Sequence, residues 1–190
     1  HRDYYLCVLD GVTGGEPVCA LAPQPLPSGF EPDPLSLLTP FRWSPDGSQI
    51  AAVGQPLGTQ ADTDLWLLDV AAGEWRNLTD DNYDGTLAAK DGSRVSIELQ
   101  PAWSPDGRWI AVERSVISDT GSFAPSTLAV IEVSSGEIRE LGALPGSAGG
   151  VVDAGSVTGM DWSPDGSALA VTVSHPEPQP EADGIWLVQV

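Results

Sequence analysis

The residues of this chain that could do chemistry are few and dispersed. Asp80-Asp81-Asn82-Tyr83-Asp84-Gly85 sets oxygen-bearing side chains at alternate positions ahead of a glycine. Asp80, Asn82 and Asp84 in that pattern could surround a hard cation such as Ca2+. A helix-flanked loop is not expected there, and the twelfth position is Asp91 rather than a bidentate Glu. His1 and His175 are the only histidines, one at a terminus and one in a Pro-rich loop, and no Gly-x-Ser-x-Gly occurs. A Ser-His-Asp site within these residues is therefore not expected, and His175 reads as a solvated loop residue. Asp62 with Asp64, or Glu181 with Asp183, could serve glycoside chemistry as carboxylate pairs. With 27 acidic residues in 190, such pairs also arise from composition alone. Two Cys and two His in no metal-ligand spacing give no zinc site. The expectation is no catalytic residue and no cofactor, with Ca2+ as the single metal candidate.

What would position any such residue is a repeat. Trp-Ser-Pro-Asp-Gly occurs at Trp43 to Gly47, Trp103 to Gly107 and Trp162 to Gly166, so the tryptophans lie 60 and 59 residues apart. A fixed period in this range signals a propeller or solenoid, whose units bury their apolar faces on one another. Within each pentapeptide, Pro presets φ, Asp46, Asp106 or Asp165 hydrogen-bonds locally, and Gly47, Gly107 or Gly166 accepts a positive φ; the element is a hairpin turn. Trp43, Trp103 and Trp162 should pack between sheets. Short apolar strands follow at Ile50 to Val53, Trp109 to Val112 and Leu169 to Thr172. A second hairpin follows in turn, Leu65 to Val70 with Trp75 to Leu78, and Leu128 to Val133 with Ile138 to Leu141. Two hairpins per period make one four-stranded propeller blade.

The pattern resembles the TolB-like propeller repeat family, whose blades carry this turn, an Ile-Ala strand and then an Ile-Trp-Leu-x-Asp strand. Asp64-Leu65-Trp66-Leu67-Leu68-Asp69 and Gly184-Ile185-Trp186-Leu187-Val188 match that third strand, while the middle copy departs with Ala129 in place of Trp. The family's repeats also often carry Tyr-Asp-Gly before the next blade, as Tyr83-Asp84-Gly85 does, which gives the cation motif a purely structural alternative. The resemblance implies an all-β fold, a β-propeller of four-stranded antiparallel blades. The expected organisation is one propeller segment over 1–190, with the second half of a blade at 1–22, blades at 39–79 and 99–142, and three strands of a blade at 157–190. That is about three blades of a larger or intermolecularly completed propeller, and a start at His1 rather than Met agrees with truncation or processing.

Charge and cysteine usage bound the partners. Eight basic against 27 acidic residues give a formal charge of −19, which disfavours nucleic acid and anionic membrane surfaces. No apolar run approaches the roughly 18 residues of a membrane span. Cys7 and Cys19 flank the Thr13-Gly14-Gly15 turn symmetrically, so a cross-strand disulfide suited to an oxidising compartment is expected, with two buried thiols as the alternative. Asn77-Leu78-Thr79 matches a glycosylation sequon but lies where a fourth strand ends. The short turns mark one face and the long connections the other, and long loops on a rigid scaffold are the usual place for binding.

Three functions compete. The first is a non-enzymatic extracytoplasmic scaffold that binds a protein or peptide through its long-loop face. The second is the propeller of a larger enzyme, as in prolyl-oligopeptidase-like serine peptidases. The third is a structural surface-layer or filament component whose partners are neighbouring copies of itself.

Overall fold

The computed structural model describes residues 5–8, 16–21, 35–56, 63–80, 95–117, 124–146, 156–175 and 181–190. These residues form thirteen strands, all paired antiparallel. They are β1 (Tyr5–Val8), β2 (Val18–Leu21), β3 (Leu35–Trp43), β4 (Gln49–Pro56), β5 (Asp64–Asp69), β6 (Glu74–Asn77) and β7 (Val95–Trp103), followed by β8 (Trp109–Ile117), β9 (Thr127–Glu132), β10 (Ile138–Ala143), β11 (Ser156–Trp162), β12 (Ala168–Ser174) and β13 (Gly184–Gln189). A two-stranded hairpin β1-β2 precedes a first sheet β3-β4-β5-β6, a second β7-β8-β9-β10 and a third β11-β12-β13. No helix among the described residues is long and apolar enough to cross a membrane. Strands β3 and β7 start at Leu35 and Val95, four residues before the expected 39 and 99, because the ladder resumes beyond a bulge in each. In β7 the bulge puts Gln100 at φ 53, a local twist that a simple alternating pattern does not anticipate.

Each Trp-Ser-Pro-Asp-Gly segment closes with the same bonds. Gly47 N donates to the Ser44 carbonyl at 2.9 Å. The Ser44 hydroxyl donates to Asp46 Oδ1 at 2.6 Å while it accepts from Gln49 N at 2.9 Å. Asp46 Oδ1 also accepts from Ser48 N at 3.0 Å. The turns after Trp103 and Trp162 repeat every one of these contacts. Gly47, Gly107 and Gly166 sit at φ 72, 71 and 73, the left-handed region that a Cβ disfavours. The serine hydroxyl and then the backbone N–H hold the Asp46 and Asp165 carboxyls down at about 2, and Asp106 is lowered for the same reason.

The sheets stack face to face, and their register shows which side chain serves which neighbour. Ile50, Ile110 and Leu169 pair with Leu68, Ile131 and Val188 respectively, so the three sheets are equivalent residue by residue. Ile110, Val112, Ala129 and Ile131 of the second sheet pack on Ala51, Leu65, Leu67 and Leu78 of the first. On its other side, Ala111, Leu128 and Val130 pack on Leu169, Val171 and Val173 of the third. The second sheet is apolar on both faces because both are covered. Ile110 and Ile131 are fully buried, each worth roughly 1.5–3 kcal/mol of burial. Leu6, Val8 and Ala20 of the hairpin pack on Ile50 and Leu68, in the manner of Leu65, Leu67 and Leu78 one sheet later.

The repeat tryptophans differ from the expectation that all three pack between sheets. Trp162 is 7% exposed and its Nε1 donates to the Ala102 carbonyl at 2.9 Å. Trp103 Nε1 donates to the Arg42 carbonyl at 3.0 Å. Trp43, the equivalent residue of the first sheet, is 49% exposed. Among the described residues, the two-stranded hairpin is what lies on that side.

Candidate functional site at the loop end of the sheets

Antiparallel topology sends the Ser-Pro-Asp-Gly turns to one end of every sheet and the longer connections to the other. Most of the buried charged side chains collect at that second end. Glu98 on β7 is fully buried, Asp64 at the start of β5 is 8% exposed and Glu113 on β8 is 5% exposed. Carboxylates this deep must be hydrogen-bonded or paired to persist as ions.

Between the first and second sheets, Arg114 Nε donates to Glu98 Oε1 at 3.0 Å, and its outer nitrogen reaches the solvent-exposed Glu140 at 3.4 Å. The Thr79 hydroxyl lies 3.2 Å from Asp64 Oδ1 and 3.3 Å from Glu98 Oε2, and it accepts from Leu65 N at 2.9 Å. One hydroxyl proton therefore stands between two buried carboxylates and can be given to only one of them at a time. Asn77 Nδ2 donates to Asp64 Oδ2 at 2.8 Å, so the sequon asparagine is engaged within the sheet. Thr63 closes the seam: its hydroxyl donates to the Glu98 carbonyl at 3.0 Å, and its own carbonyl accepts from Glu98 N at 3.2 Å.

Between the second and third sheets, Glu113 Oε2 accepts from Val157 N at 2.9 Å. Burial raises the Glu113 pKa, while the Val157 N–H and the Ser126 hydroxyl oppose the rise. Close by, His175 Nδ1 lies 2.6 Å from Asp183 Oδ1, which also accepts from His175 N at 2.9 Å. The network assigns the proton to Nδ1, because the carboxylate can only accept. The other ring nitrogen, Nε2, is buried and has no hydrogen-bond partner among the described residues. A Cβ placed on Gly146 would come within 2.5 Å of it, so the backbone of Gly146 closes the ring off. The expectation that His175 is solvated is thus corrected: its side chain is wholly buried, and it locks the β12–β13 connection onto the segment that leaves β10.

The other sequence candidates fall as follows. Asp80 is described and exposed, whereas Asn82 and Asp84 lie outside the described residues. Among the described residues no group of three or more His, Cys, Asp or Glu is placed to hold a metal ion. Asp62 lies outside the described residues, Glu181 is exposed, and Asp183 is engaged by His175. Cys7 and Cys19 stand opposite each other in the β1-β2 ladder and form a disulfide. Glu98, Glu113 and Arg114 carry no motif. Their one signal in the sequence is a charge inside an otherwise strand-like stretch, Ile97-Glu98-Leu99 and Val112-Glu113-Arg114.

Cavities among the described residues add to the geometry. An apolar one of about 100 Å³ lies between Leu128, Leu141, Val171, Trp186 and Val188. A groove of about 420 Å³ opens at the turn end, lined by Trp109, Arg139 and Trp162, with Arg139 stacked 5.6 Å over Trp109. Its carboxylates, Asp106 and Asp165, are already committed to their turns.

No protein-family model and no curated protein matches the chain. Solved structures do. One from a structural and mechanistic study of two prolyl endopeptidases aligns with 97% of the chain at 18% identity and a TM-score of 0.60, over 24% of its own length. TolB from Acinetobacter baumannii aligns with 98% at 16% identity and a TM-score of 0.50, over 37% of its length. The fold is that of a β-propeller. The Dos1 propeller agrees, covering 98% of the chain at 11% identity with a TM-score of 0.50, over 42% of its own length. The chain thus spans 24% to 42% of these structures' own lengths, and the sheets are blades of the propeller.

Proposed function

We propose that this propeller is a binding scaffold that takes a protein or peptide on the loop end of its blades, outside the cytoplasm and without catalytic chemistry of its own. The observation that carries the reading is how the loop-end charges are used. Arg114 braces Glu98, His175 is closed in by Asp183 and Gly146, and Glu113 holds the first strand of the next blade. Side chains spent in this way fix where the loops leave the blades, which favours a pre-organised recognition surface over a reacting centre. The Cys7–Cys19 bridge supports an oxidising compartment.

A second reading is the propeller of a larger peptidase, supported by the likeness to the prolyl endopeptidase structure, of which this chain spans 24%. A peptide array probed with the intact oxidised chain tests both. Bound peptides should lose affinity when the exposed loop-end carboxylates are reversed in E140K and E181K. Binding indifferent to both reversals would remove the loop end as the site, and cleavage of the arrayed peptides by the chain would overturn the non-enzymatic reading.

A further inference from the structure

The second blade departs from the repeat at its turn end. In each blade the residue two past the turn glycine donates its backbone N–H to the motif serine, and that residue is Gln49, Trp109 and Ala168 in turn. The turn uses only the backbone there, so the side chain is free to differ, and the second of the three turns carries an indole. Arg139 is the counterpart of Arg76: their partners Val130 and Leu67 pair in turn with Ala111 and Ala51. Arg76 Nη2 donates to the Val133 carbonyl of the next blade at 2.6 Å. Arg139 instead lies over the Trp109 ring, 5.6 Å from its centre.

That leaves a cation to spare in a chain with 8 basic and 27 acidic residues. Arg42 and Arg76 each donate to a carbonyl, Arg108 pairs with Glu132, and Arg114 pairs with Glu98. Arg139 has its indole and no carbonyl or carboxylate acceptor among the described residues. A guanidinium laid on an indole has a face covered and keeps its in-plane N–H donors for a carboxylate, which it can hold through two bonds. Beside it, the groove of about 420 Å³ between the turns of the second and third blades is lined by the rings of Pro105, Trp109, Trp162 and Pro164. Trp162 offers only its ring, since its Nε1 is used by the Ala102 carbonyl. Asp106 and Asp165 line the same groove, and the turn bonds they accept fall on Oδ1. Two carboxylates in the groove and a formal charge of −19 disfavour phosphates and polyacidic chains, so a single carboxylate is what one arginine can balance.

We propose that this groove is a second binding site, at the opposite end of the blades from the long connections, that takes an extended peptide segment of a protein partner by one acidic side chain. The carboxylate lies in the fork of Arg139, and the apolar residues flanking it rest on Trp109 and the two prolines. The site does not depend on what the loop end binds.

The probe is the capped peptide Pro-Pro-Glu-Pro-Pro, whose prolines hold the backbone extended before binding, with Gln-centred and Lys-centred versions beside it. Titrated into the intact oxidised chain, the Glu peptide should shift the NMR signals of the Trp109 indole N–H and the Arg139 Nε–H. R139Q should weaken the Glu peptide about 2- to 5-fold and leave the affinity of the Gln peptide unchanged, a difference that a general disturbance of the fold would not produce. W109Q, which installs the residue of the first blade, should weaken both. A Glu peptide that binds no better than the Gln peptide, R139Q that weakens both alike or neither, or shifts confined to the loop end would each overturn the proposal. Tighter binding of the Lys peptide would overturn it by giving the groove to Asp106 and Asp165 and a cationic partner. N-acetylglutamate amide binding as well as the Glu peptide would overturn the peptide as the ligand.

Discussion

Trp162 Nε1 donates to the carbonyl oxygen of Ala102 at 2.9 Å, across the boundary between two blades. Trp103 makes the same bond to Arg42 one blade earlier. The tryptophan of the repeat is therefore a cross-blade tie as well as the base of a turn. W162F should cost about 1–3 kcal/mol, because it leaves the Ala102 carbonyl without its donor in a buried seam. W43F, at a position 49% exposed, should stay within about 0.5 kcal/mol. Urea unfolding of both variants separates the two outcomes.

G146A should destabilise the chain by about 2–4 kcal/mol. The glycine sits at φ 72, and a Cβ there meets His175 Nε2 at 2.5 Å and the Ala182 Cβ at 2.8 Å. Two causes add, left-handed strain and a clash with a buried ring. Combining it with H175A should recover part of the loss, since the clash goes while the strain stays. A double-mutant cycle by denaturant unfolding measures the difference.

R114M should cost about 3 kcal/mol, because a fully buried Glu98 loses its cation. Adding E98Q should restore much of that, since the deficit comes from a charge left in low dielectric. Glu140 is more than half exposed, so E140Q should change stability by less than about 0.5 kcal/mol. Thermal or urea unfolding at low salt reads all three.

Two opposed pH dependences follow from the carboxyl groups. Burial raises the Glu113 pKa above 4.5, so the folded state binds its proton more tightly than the unfolded chain, and stability falls as pH rises from 4.5 through the raised value. E113Q should therefore gain on the wild type as pH is taken from 4 to 7. Asp46 and Asp165 are lowered from 3.8 to about 2, and Asp106 is lowered too. The stability their turn bonds contribute is present above 3.8 and lost as pH drops toward 2. Unfolding free energies across pH 2 to 7 for wild type and E113Q should show an acid loss in both and a neutral-side decline in the wild type alone.

The sequence by itself determined the blade. The bonds that build each turn run among six consecutive residues, as from Ser44 to Gln49, so residue order suffices to specify them, and alternation along the strands sets which side chains can face a neighbour. Cys7 and Cys19 were legible for the same reason, being placed symmetrically about one short turn. What only the tertiary structure decided lies in the seams between sheets. Glu98 pairs with Arg114 across the β7-β8 hairpin and also meets Thr63, just before β5, and Thr79, just after β6, of the neighbouring sheet, and no spacing along the chain reports that the two threonines join the pair. His175 looked solvated because its neighbours in sequence are polar and Pro-rich, yet its environment is set by Gly146, 29 residues away, and by Asp183. Trp43, Trp103 and Trp162 occupy identical motifs and end with different exposures, because a side chain's burial depends on whether a neighbouring sheet is there to cover it.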